Sequence, residues 1–203
     1  MARVPEPEFL MAADIGGGDR RAFFRETLGR LAREVARRAE ARVVRRRFFR
    51  PPGAAPEVAF LASCTRCGAC IDVCPAHAIV KAPAGAGLAA GTPMLEPSVQ
   101  ACVACDDIPC AAACPTDALT LPPDGWRSVR LGVLALDVDR CITFHGASCG
   151  VCARSCPMGE RALAMDKGGH PVLKPEGCVG CGVCVTACVT TPSSLSLSLA
   201  EEA

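Results

Sequence analysis

Apolar residues recur along this chain in short runs, never in long stretches. Phe24, Leu28, Leu31, Val35 and Ala39 fall at three- and four-residue steps, which predicts a helix capped by Asp19 and continuing to about Phe49. Residues 1–19, with Pro, Glu and three consecutive glycines, predict a flexible lead-in. Val129–Val138 is the best strand candidate, and 162–165 with 171–175 predict a hairpin. Leu195–Leu199 alternates apolar and polar and would close a small sheet. Arg50–Pro56 reads as a Pro-rich linker at a domain boundary, and Ala84–Pro93 as a Gly/Ala-rich loop of low structural content. That loop lacks G-x4-G-K-[ST], so it is not a phosphate-binding loop. No stretch reaches the roughly 18 apolar residues of a membrane span.

Composition changes the picture of the core. The 203 residues include no Tyr, one Trp and seven Phe, so the large side chains that dominate burial are scarce. Seventeen Pro and nineteen Gly add loop character. A thin core of this kind needs staples, and sixteen cysteines are available to supply them. If metal supplies the staples, the metal-free form is poorly folded.

Charge is uneven. Residues 20–50 contain twelve Arg and three Glu, a net +9, and the whole chain is +1, which leaves about −8 on the rest. Arg20-Arg21 resembles a twin-arginine export signal, but Leu28–Arg38 is charged every few residues where export needs an apolar segment. The basic arm can equally dock an acidic partner, lie on an anionic membrane surface, or simply be solvated. It carries no recognised nucleic-acid motif. The expected location is cytoplasmic, with peripheral membrane contact through residues 20–50. The alternative is periplasmic, through a degenerate twin-arginine signal at Arg20-Arg21.

The cysteines decide the class. Cys64-x2-Cys67-x2-Cys70-x3-Cys74-Pro75 is the spacing by which bacterial ferredoxins hold a [4Fe-4S] cluster. Three thiolates two residues apart wrap one corner of a compact cofactor, and the fourth commonly ligates the other cluster of a pair. Three variations follow: Cys102-x2-Cys105-x4-Cys110-x3-Cys114-Pro115, Cys141-x7-Cys149-x2-Cys152-x3-Cys156-Pro157, and Cys178-x2-Cys181-x2-Cys184-x3-Cys188 without the proline. Their first cysteines lie 38, 39 and 37 residues apart, and each motif has a similar tail: Ala78-Ile79, Ala118-Leu119, Ala162-Leu163, Ser194-Leu195. A disulfide framework does not call for such regular spacing, and a structural zinc site does not need the recurring fourth cysteine with its proline. No C-x-x-C is followed by His, which argues against covalent haem. His77, His145 and His170 are isolated and read as solvated or hydrogen-bonded residues. With short strands and a helical turn after each motif, the chain reads as an α+β protein. Two ferredoxin-like dicluster modules, 51–125 and 126–203, follow an N-terminal segment, 1–50.

Two ligand partitions are open. If neighbouring motifs pair, Cys64, Cys67 and Cys70 share with Cys114, and Cys102, Cys105 and Cys110 with Cys74. Cys141, Cys149 and Cys152 then take Cys188, and Cys178, Cys181 and Cys184 take Cys156. The neighbouring scheme is preferred, but a nested one, with motifs two and three inside one and four, is compatible with the spacings.

The motif order resembles the four-cluster ferredoxin-type proteins of the NapG/MauM group. Matching pieces are Arg50–Ala54, Gly91–Pro93, Ile108–Cys110, Leu131–Val133, the wide gap after Cys141, and the missing proline after Cys188. The resemblance covers about residues 48–200 and implies four [4Fe-4S] clusters and electron transfer in or near a quinol-oxidising chain. Relatives of this kind accompany periplasmic nitrate reductase and methylamine utilisation systems, and they normally carry an apolar stretch after the twin arginines that is missing here. No nucleophile–base constellation is present, so a non-enzymatic electron carrier is expected. Its partners would be redox proteins, such as a membrane quinol dehydrogenase. The competing classes are a maturation factor for a redox enzyme and an iron–sulfur sensor binding nucleic acid.

Overall fold

The computed structural model describes residues 46–199. Most of the basic arm, including nearly all of the expected helix, lies outside the described residues. Where the arm becomes visible it is not helical. Residues 46–48 are irregular, and Phe49 bridges Leu95, its carbonyl accepting the Leu95 N–H at 2.8 Å.

Helix α1 spans Glu57–Ser63. Four single-turn helices follow: α2 (Ala69–Asp72), α3 (Pro109–Ala112), α4 (Val151–Arg154) and α5 (Val183–Thr186). These turns lie inside the cysteine motifs and carry the third cysteine in motifs one, two, three and four alike, not after the motifs as the spacing suggested. The residue before each turn is left-handed: Gly68, Ile108, Gly150 and Gly182. Three of the four are glycine because only glycine adopts that backbone without steric cost; Ile108 adopts it at φ 43°.

The strands are short. Antiparallel pairs join β1 (Ile79–Lys81) to β2 (Pro93–Leu95), β3 (Val133–Leu136) to β6 (Leu195–Ser198), and β4 (Leu163–Met165) to β5 (Pro171–Leu173). Their registers explain the repeated tails. The second tail residues Ile79, Leu119, Leu163 and Leu195 pair with Leu95, Ala54, Leu173 and Leu136, and all four are buried. Each motif is therefore closed by one cross-strand partner of its tail. The expected hairpin and terminal strand are present, whereas the long strand candidate is regular only at Val133–Leu136.

Two stretches taken as irregular have defined roles. Arg50, Pro51 and Pro52 are buried, and Gly53 and Ala55 exchange backbone hydrogen bonds with Thr120 and Ala118, so this stretch is not a linker but a ribbon along the tail of motif two. At Gly53 a Cβ would sit 2.0 Å from the Thr120 carbonyl oxygen, so the close approach needs glycine. Ala84–Ala89 forms a 3-10 turn and leads into β2.

One apolar core gathers Phe60, Ile79, Leu95, Ile108, Leu119 and Trp126, with Val129, Leu131, Val179 and Cys181 joining from later in the chain. A smaller one holds Leu163, Cys184, Val185 and Leu195. Cysteines belong to both cores, as expected where large side chains are few.

Candidate metal centres

All sixteen cysteines are free thiols, which removes the disulfide reading. They gather around hollows. One is lined by Cys64, Cys67, Cys70 and Cys114. A second is lined by Cys74, Cys102, Cys105 and Cys110, and a third by Cys156, Cys178, Cys181 and Cys184. In each, three cysteines of one motif meet the fourth of its neighbour, so at these three hollows the partition is neighbouring, not nested. The three enclose similar empty space, about 390, 350 and 340 Å³ counting their open sides. Among the described residues no three His, Cys, Asp or Glu side chains converge on a point that would hold a single ion. The thiols instead ring a space, which suits a multi-atom group better than zinc.

Cys141, Cys149 and Cys152 make a fourth gathering, since the charges of Cys141 and Cys149 oppose ionisation of Cys152. Cys188, the remaining fourth-position cysteine, has Sγ 3.2 Å from Thr190 Oγ1 and 3.3 Å from Ser194 Oγ.

Helix and loop geometry places the donors. Cys70, Cys110, Cys152 and Cys184 ride on α2, α3, α4 and α5, whose left-handed entry residues turn the chain back on itself within two or three residues. Helices α2 and α3 pack on each other, as do α4 and α5. That packing brings Cys74, Cys114 and Cys156 to their neighbours' hollows.

Burial and mutual proximity disfavour charge on these thiols. Burial, reinforced by Cys64, Cys114 and Cys67, pushes the Cys70 thiol up to about 11. Burial and Cys102 push Cys110 to about 12, and burial with Cys181 and Cys178 does the same for Cys184. Burial also holds Cys102 and Cys181 at about 11. Several thiolates facing one apolar space repel one another unless a cation lies between them, and iron supplies that charge. Cys188 differs. Burial works to raise its thiol, but the Ser194 and Thr190 hydroxyls with their backbone N–H groups bring it down to about 6.

The histidines stand apart from these hollows. His145 Nε2 lies 2.8 Å from the Asp139 carbonyl, and His170 stacks on Phe144 at 4.4 Å beside Asp166.

Sequence reasoning missed Arg50. Its side chain is 1% exposed. Nε donates to Glu57 Oε2 at 2.9 Å, Nη2 to Glu57 Oε1, and Nη1 to Thr92 Oγ1 at 2.8 Å and the Pro93 carbonyl at 2.9 Å. The guanidinium lies over Phe60 at 4.5 Å. Phe60, Gly91 and Pro93 line the first hollow, so this clamp holds one of its walls. The only sequence signal was an arginine among prolines. Trp126 is a second such residue: Nε1 donates to the Cys105 carbonyl at 2.7 Å and its ring lines the second hollow.

Comparison with known proteins agrees with this geometry. Residues 63–118 and 133–189 each match the 4Fe-4S dicluster domain model. The ferredoxin-type protein NapG of Escherichia coli is 37% identical over 167 residues, 75% of this chain and 72% of that protein. The methylamine utilization ferredoxin-type protein MauM of Methylorubrum extorquens is 37% identical over 164 residues, covering 77% and 72%. MauM of Methylophilus methylotrophus is 32% identical over 206 residues, covering 92% and 89%. Two dicluster domains, each for two clusters, with sixteen cysteines fit four [4Fe-4S] clusters.

Proposed function

Because the chain belongs to the NapG/MauM group of ferredoxin-type proteins, we propose that it relays single electrons between a redox donor, such as a quinol-oxidising membrane partner, and a redox enzyme. The observation that carries this is the exchange of fourth cysteines, Cys114 into the hollow of motif one and Cys74 into that of motif two. It makes two adjoining sites where separate motifs would make isolated ones. Each site would have three thiolates from one motif and one from its neighbour, with Cys188 completing the set of Cys141, Cys149 and Cys152. An iron–sulfur cluster supplies reversible one-electron transfer when bound.

The chain's own residues do the rest. Apolar walls from Phe60, Ile79, Trp126 and Leu134 restrict water around the thiols. Hydroxyls at Thr116, Thr143, Thr190 and Ser194 sit close to the Sγ atoms of Cys114, Cys141 and Cys188. Donors aimed at sulfur stabilise the more negative, reduced state and raise its potential. Among the described residues no helix is long and apolar enough to cross a membrane. A membrane partner would be met through the basic segment at residues 20–50, whose twelve arginines suit an anionic surface.

The test is iron and acid-labile sulfide on anaerobically purified protein, then reduction by a quinol-linked donor and reoxidation by an acceptor enzyme. About sixteen of each per chain with full reversible reduction supports the relay. Full loading with no exchange with any redox partner would favour the maturation-factor role and end the carrier reading.

A further inference from the structure

Resting on the carrier reading above, we infer that the four cysteine cages form one row whose order departs from the motif order. It runs first, second, fourth, third, with the crossing between the two halves at the backbone contact of Cys102 with Cys181. Each link has its own structural basis.

The first and second cages adjoin because α2 and α3 pack together and the motifs exchange Cys74 and Cys114. The fourth and third adjoin because α4 and α5 pack together and motif three lends Cys156 to the fourth cage. Between the halves, the Cys102 N–H donates to the Cys181 carbonyl at 3.0 Å, and the Leu131 N–H donates to the Val179 carbonyl at 2.8 Å. The first of these bonds joins the first cysteine of motif two directly to the second cysteine of motif four.

The junction is built for close approach. A Cβ on Gly180 would sit 2.4 Å from the Gly132 carbonyl oxygen, and one on Gly182 would sit 2.6 Å from the Pro97 Cβ. Both positions also have φ above +70°, so glycine serves the turn and the contact together. Val179 and Cys181 are buried in the same core as Cys110 and Trp126, so the second and fourth cages share one apolar wall. Among the described residues no hydrogen bond joins motif one to motif three, or motif two to motif three. The first and third cages are thus the ends. Cys67 of the first is the one exposed cysteine of the sixteen.

The order is testable by spin coupling in the loaded, full-length chain. Variant one replaces Cys64, Cys67, Cys149 and Cys152 by Ala and keeps the second and fourth cages. Variant two replaces Cys64, Cys67, Cys178 and Cys181 by Ala and keeps the second and third. After dithionite reduction, variant one should give a split, broadened EPR spectrum, and variant two the plain sum of two unsplit signals. Splitting in variant two and none in variant one would overturn the order. Should either variant lose all its iron, the single changes Cys102→Ser, Cys181→Ser and Cys149→Ser, each keeping an oxygen ligand, put the same question. Cys102→Ser and Cys181→Ser should disturb one shared split feature of the reduced spectrum that Cys149→Ser leaves alone. A feature shared by Cys102→Ser and Cys149→Ser but not by Cys181→Ser refutes the order. Wild-type protein without iron or sulfide would defeat the carrier reading itself, whereas full loading with the wrong coupling pattern defeats only the order.

Discussion

Replacing Glu57 by Gln removes one negative charge from a place water does not reach. Arg50 and Glu57 are 1% and 3% exposed, and the carboxylate accepts two of the hydrogen bonds from the guanidinium. Gln can accept one of these, but it leaves Arg50 with a buried, uncompensated charge and only Thr92 and Pro93 as further acceptors. Breaking a buried ion pair in this way costs about 3–5 kcal/mol. Because Phe60 and Pro93 wall the first hollow, the loss should appear as early release of the group held by Cys64, Cys67, Cys70 and Cys114.

Unfolding of a metal-loaded chain is irreversible, so the readout is a rate: decay of visible absorbance in a fixed concentration of guanidinium under argon. If the clamp is already open at the barrier, about 3 kcal/mol corresponds to a rate increase on the order of 100-fold. Replacing both residues, Arg50→Met with Glu57→Met, should cost less than Glu57→Gln alone, since no charge is left unpaired. Decay of Glu57→Gln within about twofold of wild type, a difference near 0.4 kcal/mol, would refute the account of Arg50 as a charge-balanced clamp.

Further outcomes follow from the same geometry. Ser194→Ala deletes a buried hydroxyl 3.3 Å from Cys188 Sγ and should lower one of the four midpoint potentials in an EPR-monitored redox titration, leaving iron content unchanged. Trp126→Phe keeps the ring but removes the Nε1 donor to the Cys105 carbonyl, and should speed cluster loss by an amount matching about 1 kcal/mol. Removing iron with a chelator should abolish most near-ultraviolet dichroism, because the cores are thin and cysteines are part of both, three buried or packed in the smaller and seven in the larger. Structure that survives chelation should weaken as pH rises. The thiols of Cys70, Cys102, Cys110, Cys181 and Cys184 sit at about 11 to 12 against an ordinary 9. Their contribution is therefore complete below pH 9 and lost between 9 and 12 as the unfolded thiols ionise first. Far-ultraviolet dichroism across that range checks the sign.

The chemistry was legible in the spacing of the cysteines. Cysteine spacing is a local property: three thiols within seven to twelve residues meet one compact group in almost any fold that lets the loop close, so the donor sets were legible in Cys64–Cys74 and its three relatives. The repeated tails were legible too, and Ile79, Leu119, Leu163 and Leu195 each close their motif by a cross-strand pair. Tertiary structure decided what depends on contacts between distant residues. Both partitions of the fourth cysteine satisfied the same spacing, and only the packing of α2 on α3 and of α4 on α5 brings Cys114 to motif one and Cys156 to motif four. Arg50 looked like part of a linker because burial of an arginine depends on Glu57 nearby and on Thr92 and Pro93 some forty residues away. The meeting of Cys102 with Cys181 spans 79 residues of chain and rests on backbone atoms. Backbone hydrogen bonds carry no side-chain signature, so no pattern of residues could have announced it.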